Sequence, residues 1–525
     1  MKPGSIPLVT ASRMNEIDQL AQSQFHIPGI VLMETAGARA WALLRDRYLV
    51  PADGPACGRR SALRVLFVAG KGNNGGDALV MARHCAVEGR YLPTMLITGD
   101  QLNEPGAGHL RACRALGVTV LEWRSQPDAA AEAIAAADWV VDGLAGTGIQ
   151  GQLRGDAAAV VEAINRARQP VVAIDCPSGI GDEYEAGFPA VRAHATITIG
   201  LPKRCLYYRA ARVLAGEIEL LPIGFPPALL QAAGEHGSAG DQWLLSNAGA
   251  LPGLLPPFSP SAYKNQRGVV AVFAGAHGTV GAAVLCSRAA AYCGAGMVRL
   301  YADESVYPLV APQLVSVMTV ARSEHEVTVP TGATALVVGP GWGRGAARER
   351  QLAALLKMGL PGVIDADGVA VLNAVVAAGG GLGGRWVVTP HPGEFADLCG
   401  IERGRLPQNP ASLLRRWARR LNAVIVLKGH VNYIARPEGA LTVVDGMNPA
   451  LGTAGSGDVL AGMVAALLGG GMAAAAAAEA AVLLHQCAGR RLYVDRGFFL
   501  AEDLPHEVAV LLARYAAAST DDSSE

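Results

Sequence analysis

Short apolar runs alternate with stretches of helical period twice along this chain. In the first half the runs are Leu63–Ala69, Thr94–Thr98, Val118–Trp123, Trp139–Asp142, Val171–Asp175 and His194–Ile199, separated by helix-like pieces such as Asp156–Arg168. Runs of this kind predict a mostly parallel sheet covered by helices on both faces. Between Pro222 and Pro260 the pattern fails, because PPALLQAAGEHGSAGDQW and LPGLLPPFSP are rich in proline, glycine and small residues. A domain boundary is expected there. The pattern restarts with Gly268–Ala274 and continues through Ala335–Val338, Val363–Asp365, Trp386–Thr389 and Ala423–Leu427. The expectation is α/β throughout: a doubly wound, Rossmann-like sheet over residues 1–230, a linker over 231–244, a second α/β domain over 245–518 and a disordered acidic tail over 519–525. No residue-level repeat relates the halves.

One stretch, Val459 to Leu484, is almost wholly apolar and long enough to span a bilayer. Gly469, Gly470 and Gly471 break it, Glu479 interrupts it, and no second span supports it, so two soluble helices are expected. The amino terminus has no apolar core of a secretory signal. Basic and acidic residues nearly balance, 44 against 45. No global field therefore recruits nucleic acid or an anionic membrane, and an anionic ligand must be held locally. Nine scattered cysteines lack zinc-like spacing. They read as reduced thiols of a cytoplasmic protein.

The first candidate site is the loop VAGKGNNGGD, Val68 to Asp77, which follows the first core strand and opens a helix. In doubly wound sheets ligands sit beyond the carboxyl ends of the strands, where glycines let backbone amides approach a pyrophosphate at a helix amino terminus. Two more strand ends converge on that edge: Asp142 in VVDGLAGTG and Asp175 in VVAIDCPSG. Either aspartate alone reads as a turn or helix cap. Three polar tips on one sheet edge point to a site. Asn74, Asp142 and Ser178 supply hard oxygen atoms, suited to an alkali or alkaline-earth cation rather than zinc.

Together, AGKGNNGGD, VDGLAGTG and IDCPSG resemble the amino-terminal domain of bacterial NAD(P)H-hydrate repair enzymes, the NAD(P)HX epimerase, over about residues 10 to 225. The resemblance implies that Asn73, Asn74, Gly75, Gly76 and Asp77, with Gly146, Thr147, Gly148, Ile149, Gln150, Gly151 and Gln152, hold the hydrated dinucleotide. It further implies a potassium ion on Asn74, Asp142 and Ser178, and Asp175 at the reacting centre. Ala78 stands where the family usually continues with glycine.

In the second half GTAGSGDVLAGMVAALL, Gly452 to Leu468, is a glycine-rich turn running into a helix with Asp458 in its first turn. Backbone amides there make an anion hole, and the carboxylate is placed to take a proton from a hydroxyl attacking phosphorus. As a cap alone, Asp458 would need neither Gly455 nor Gly457. With VVGPGWG, VIDADGVAVL, VVTPHPGEF and VIVLKGH, the segment resembles the ribokinase-like ADP- or ATP-dependent NAD(P)H-hydrate dehydratase, over about 245 to 515. By that resemblance Lys428, Gly429, His430, Val431, Asn432 and Gly457 contact the adenine nucleotide with its magnesium, and Ala283, Gly341, His391 and Asp458 contact the hydrate. Ala454, where the family often has glycine, is a departure that leaves the aspartate in place.

The resemblance implies one joint chemistry. Water added across the nicotinamide ring of NADH or NADPH leaves a hydroxyl at ring carbon six, in two epimers. Phosphorylating that hydroxyl, with Asp458 as base, turns it into a leaving group and restores the dihydropyridine. The family's dehydratase takes only the S epimer, so an epimerase working through Asp175 lets both be cleared. The expected partners are NADHX or NADPHX and ADP or ATP, with neither nucleic acid nor membrane, and the expected assembly is a homo-oligomer. The alternative is a ribokinase-like small-molecule kinase fused to a non-catalytic dinucleotide-binding or scaffolding module; TPHPGEF and the retained Asp175 argue against it.

Overall fold

The computed structural model describes residues 4–49, 62–99, 102–235, 241–257, 259–323, 325–377 and 381–521. The chain divides into two compact units, Ile6–His236, and Gly237–Glu525 together with Met1–Ser5.

The amino unit is built on a seven-stranded sheet in the spatial order Thr119–Glu122, Leu92–Ile97, Arg64–Ala69, Trp139–Gly143, Val171–Ile174, Ala195–Ile199, Glu217–Leu221. Every recorded pairing is parallel. The central strands are buried along almost their whole length, which explains why they read as continuous apolar runs. The edge strand Glu217–Leu221 escaped the pattern because it is half exposed and carries Glu217 and Glu219, both facing Arg47. The chain leaves Arg64–Ala69 towards one edge and Trp139–Gly143 towards the other, so the order reverses between these two strands. That is where a ligand crevice belongs.

The carboxyl unit repeats the arrangement on a larger sheet. From Trp243 onward its order is Trp243–Ser246, Leu441–Asp445, Val431–Ala435, Val424–Leu427, Trp386–Val388, Gly362–Ile364, Ala335–Val338, Val269–Phe273, Met297–Asp303, Met318–Arg322. Val424–Leu427, Val431–Ala435 and Leu441–Asp445 form an antiparallel meander, and the other recorded pairs are parallel. The reversal point lies between Val269–Phe273 and Ala335–Val338. The strand Trp243–Ser246 straddles the end of the expected linker 231–244, and the helix Pro227–Glu235 runs into its start. Gly4, at positive φ, gives its carbonyl to the Asn247 N–H at 2.9 Å, so the start of the chain joins this unit.

The long apolar stretch forms two helices, Ser456–Gly469 and Ala474–Arg496. Buried Glu479 accepts from Ser246 Oγ at 2.7 Å and faces Arg436 at 3.3 Å, which is how a carboxylate fits among alanines. Among the described residues no helix is long and apolar enough to cross a membrane. The last helix runs from Leu504 to Asp521, into the tail expected to lack order, and the final four residues lie outside the described chain.

Candidate active sites

In the amino unit, the loop after Arg64–Ala69 passes against the loop after Trp139–Gly143. A Cβ on Gly70 would overlap the Leu144 carbonyl, and one on Gly75 would overlap the carbonyl of Gly70. Only glycine allows this approach. Ala78 is accommodated because its partner is Gly143, where any Cβ would come within 2.7 Å of the alanine methyl.

The same contact gathers three oxygen-bearing side chains. Fully buried Asp142 accepts from Leu144 N–H at 3.2 Å, Ser178 N–H at 2.8 Å and Ser178 Oγ at 2.6 Å. Burial still pushes its pKa up, against the pull of these bonds. Ala145 N–H donates to Ser178 Oγ at 2.8 Å, and a Cβ on neighbouring Gly146 would lie 3.0 Å from Asn74 Cγ. Asn74 is buried, yet neither atom of its amide has a hydrogen-bond partner among the described residues. A native structure leaves such a group only where something else satisfies it.

Asp175 follows the strand Val171–Ile174 at φ 65°, a left-handed conformation uncommon for a residue with a side chain. Its Oδ1 accepts from Ile199 N–H at 3.0 Å and is ion-paired with Lys203 Nζ. The Lys203 ammonium is fully buried and also reaches Ile199 O at 2.7 Å and Thr198 Oγ1 at 3.3 Å. These groups open on one cleft of about 680 Å3, lined by Asn73, Asn74, Asp77, Gly146, Thr147, Gly148, Ile149, Asp175 and Lys203, with Asp18, Met33 and Phe225. The volume suits a small-molecule ligand. Gly75 and Gly76 are buried backbone of the helix Asn73–Glu88 behind that wall. Gln150, Gly151 and Gln152 continue beyond the lining, with Gly151 N–H donating to Glu183 at 3.1 Å.

In the carboxyl unit, the helix Ser456–Gly469 packs on the strands Val269–Phe273, Ala335–Val338 and Gly362–Ile364. It starts from Gly455 at φ 92°, with Asp458 as its third residue. Burial, reinforced by the Asp365 charge and opposed by Lys428, pushes the Asp458 carboxyl up to about 7. Lys428, just after Val424–Leu427, places Nζ 2.6 Å from Asp365 Oδ1 and 3.2 Å from where a Cβ on Gly457 would sit. Glycine at 457 therefore leaves room for the ammonium at the helix start. Burial works against the Lys428 charge, but Asp365 and Glu394 outweigh it and hold its pKa above the ordinary value. Buried Asp365 also accepts from Thr389 Oγ1 at 2.8 Å. Behind the helix start, His485 is neutral, lowered to about 4 by burial, and its Nε2 lies 3.0 Å from Ser456 O, which places the ring proton on Nε2.

The remaining expected residues occupy mixed positions. Gly341 has φ 52° and accepts from Thr279 Oγ1 at 2.7 Å. Ala283 is wholly buried, and a Cβ on Gly275 would lie 2.9 Å from its methyl. His391 caps the helix Pro392–Cys399, its Nδ1 accepting from Gly393 N–H at 3.0 Å and Glu394 N–H at 3.2 Å. Gly429 and His430 are exposed, whereas Val431 and Asn432 are buried, and the Asn432 Nδ2 has no partner among the described residues. Sequence reading passed over Lys203, Asp18, Asp365 and His485 as individuals. Asp365 carried a usable signal, since it ends an apolar run as Asp142 and Asp175 do; Lys203 lies in GLPKRC, which has no periodicity at all.

Residues 29–205 match the family model described as YjeF-related protein N-terminus, and residues 270–509 match the one described as NAD(P)H-hydrate dehydratase. A bifunctional NAD(P)H-hydrate repair enzyme of Moorella thermoacetica is 34% identical over 511 residues, covering 93% of both chains. One from Mycobacterium tuberculosis is 35% identical over 430 residues, covering 80% of this chain and 81% of that one. The crystal structure of the ADP/ATP-dependent NAD(P)H-hydrate dehydratase of Bacillus subtilis, co-crystallized with ATP and Mg2+, is 26% identical with a TM-score of 0.45, covering 50% of this chain and 96% of that one.

Proposed function

The chain belongs to the bifunctional NAD(P)H-hydrate repair enzymes, and from that premise we propose how its two sites divide the work. The protein is an enzyme that epimerises R and S NAD(P)HX and returns the S epimer to NAD(P)H in a nucleotide-dependent dehydration. We assign the epimerase to the cleft at Asp175 and the dehydratase to the start of the helix Ser456–Gly469. The observation that carries the first assignment is the ion pair of Asp175 with fully buried Lys203 on the wall of a cleft whose other wall is the glycine loop. A proton-transfer group and backbone amides for a pyrophosphate then face one ligand.

Potassium fits the amino site. Asn74 Oδ1 is a buried oxygen without a donor, and Asp142 is a buried carboxyl whose ionised form lacks a compensating charge. With Ser178 Oγ they offer an all-oxygen set. A bound cation would order the Asn74 helix start against the Leu144–Gly146 loop, and Asp142 and Ser178 would hold that loop through the hydrogen bonds described above.

In the carboxyl site Lys428 and the amides after Gly455 would hold the phosphates of ADP or ATP, and Asp458 would take the proton of the ring-six hydroxyl as it attacks phosphorus. Among the described residues no cluster of three acidic, histidine or cysteine side chains could cage a metal. Magnesium would come held by the nucleotide's phosphates with few protein ligands, which is its usual habit. The test is a mixture of hydrate epimers incubated with and without ADP or ATP, following dihydronicotinamide absorbance and resolving the epimers by chromatography. Without nucleotide the epimers should equilibrate and absorbance stay flat; with it, both should be consumed. Consumption of S alone, or a stable phosphorylated product, would refute the assignment.

A further inference from the structure

Asp77 lines the epimerase cleft from the helix Asn73–Glu88, is almost wholly buried, and has no hydrogen bond to its carboxyl among the described residues. Asp175, on the same cleft, is bonded to Lys203 and to Ile199 N–H. Two carboxyl groups thus share one site in opposite environments. An aspartate serving only to cap a turn or anchor a pyrophosphate loop would be hydrogen-bonded or exposed, and Asp77 is neither.

We propose that Asp77 is the general acid of the epimerase and Asp175 its base. The proposal rests on the cleft being the epimerase site. Two carboxyl groups on one cleft, one bonded to an ammonium and the other without a hydrogen bond among the described residues, divide acid and base roles between them.

The groups facing Asp77 fit this division. Burial raises its pKa well above the ordinary carboxyl value, with Asp175 and Asp18 adding repulsion and Lys203 alone pulling it down. Asp18, from the helix Ala11–Gln24, accepts from Gln22 at 2.7 Å and is itself raised by burial. Glu104, also on the cleft, is engaged at 3.0 Å by Arg111. Lys203 is committed to Asp175. Once Asp77 has given up its proton, two facing carboxylates, Asp77 and Asp175, stand against one ammonium and favour developing positive charge.

The step follows from that charge. Asp77 gives its proton to the hydroxyl on ring carbon six; the carbon–oxygen bond breaks and water leaves with the electron pair. The lone pair of the ring nitrogen forms the new nitrogen–carbon double bond, and the resulting iminium is stabilised by the surrounding carboxylates. Water then adds to the opposite face, the electron pair of the double bond returns to nitrogen, and Asp175 takes the proton of the added water. Proton exchange with solvent restores both residues, so the net change is inversion at carbon six.

The experiment uses the full-length chain with Asp77→Asn and Asp77→Glu, measuring epimerisation of purified S or R hydrate without nucleotide, with the denaturant transition of the amino unit as a control of folding. Asp77→Asn should lower the epimerase kcat by about 10²–10⁴-fold, with KM changed far less, and abolish the alkaline limb of the kcat–pH profile. Asp77→Glu should restore part of the rate and the limb. Oxygen from 18O-water should enter at carbon six with each turnover of the wild type. A raised KM with unchanged kcat would make Asp77 a binding residue and overturn the proposal, as would epimerisation without label uptake. If Asp175→Asn also epimerises at the wild-type rate, it is the placement of the epimerase in this cleft that fails.

Discussion

The two sites are built to one plan on unrelated loops. Each holds a strand-tip aspartate paired with a lysine, Asp175 with fully buried Lys203 and Asp365 with partly exposed Lys428. Each sets beside that pair a second aspartate in the amino-terminal part of a helix, Asp77 or Asp458, whose carboxyl burial pushes up. Each second aspartate faces two carboxyl groups and one lysine, so the difference is enclosure: Asp77 is almost wholly buried in a formed cleft, whereas Asp458 is only partly covered. The more enclosed carboxyl suits donating a proton; the one poised near neutrality suits accepting one. Similar parts thus serve opposite proton transfers, and the depth of burial decides which.

The sharpest test of that contrast is Asp458→Asn, which should cost about 10²–10⁴-fold in nucleotide-dependent recovery of dihydronicotinamide absorbance and leave epimer exchange untouched. Loss of both activities would show that the sites are not independent. Next come the lysines. Lys203→Met leaves Asp175 without its buried partner and should destabilise the amino unit by about 3–5 kcal/mol, read as an earlier denaturant transition and relieved by adding Asp175→Asn. Lys428→Met should cost less, because its side chain is 18% exposed where that of Lys203 is 0%. Equal losses would remove the distinction between an enclosed and an open pair.

The pH dependence is a smaller effect with a definite sign. Asp458 must be ionised to accept a proton, so dehydratase kcat should fall about tenfold per pH unit below about 7 and level off above it. Its carboxyl binds a proton more tightly folded than unfolded, where the ordinary value is 3.8. The carboxyl unit should therefore lose stability as pH rises from about 4 through 7, and Asp458→Asn should abolish that loss. Stability that instead rises over this window would contradict the burial argument. The mildest change is Asn74→Ala, which removes an oxygen offered to potassium and should raise the half-saturating potassium for epimerisation about tenfold, the scale of one hydrogen bond to a charge. An unaltered potassium response would place the cation elsewhere.

Much of this molecule was legible along the chain because its strands are buried on both faces and its glycines sit where backbones touch. Val424–Leu427 and Ala335–Val338 stand out as apolar runs for that reason. Gly70 and Gly75 mark the loop where any Cβ would collide. Strands with an exposed or polar face, such as Glu217–Leu221 and Met318–Arg322, carry no such signature. The aspartates at strand ends could be named as candidates from position alone, since a strand tip projects its next residue into the crevice. What position could not convey is which charge each one meets. Lys203 lies 28 residues beyond Asp175 and Lys428 lies 63 beyond Asp365, distances along the chain over which no periodicity operates. Only the folded sheets bring these pairs together, strip them of water and leave Asn74 and Asp77 without side-chain hydrogen bonds among the described residues, because desolvation and Coulomb interaction depend on separation in space.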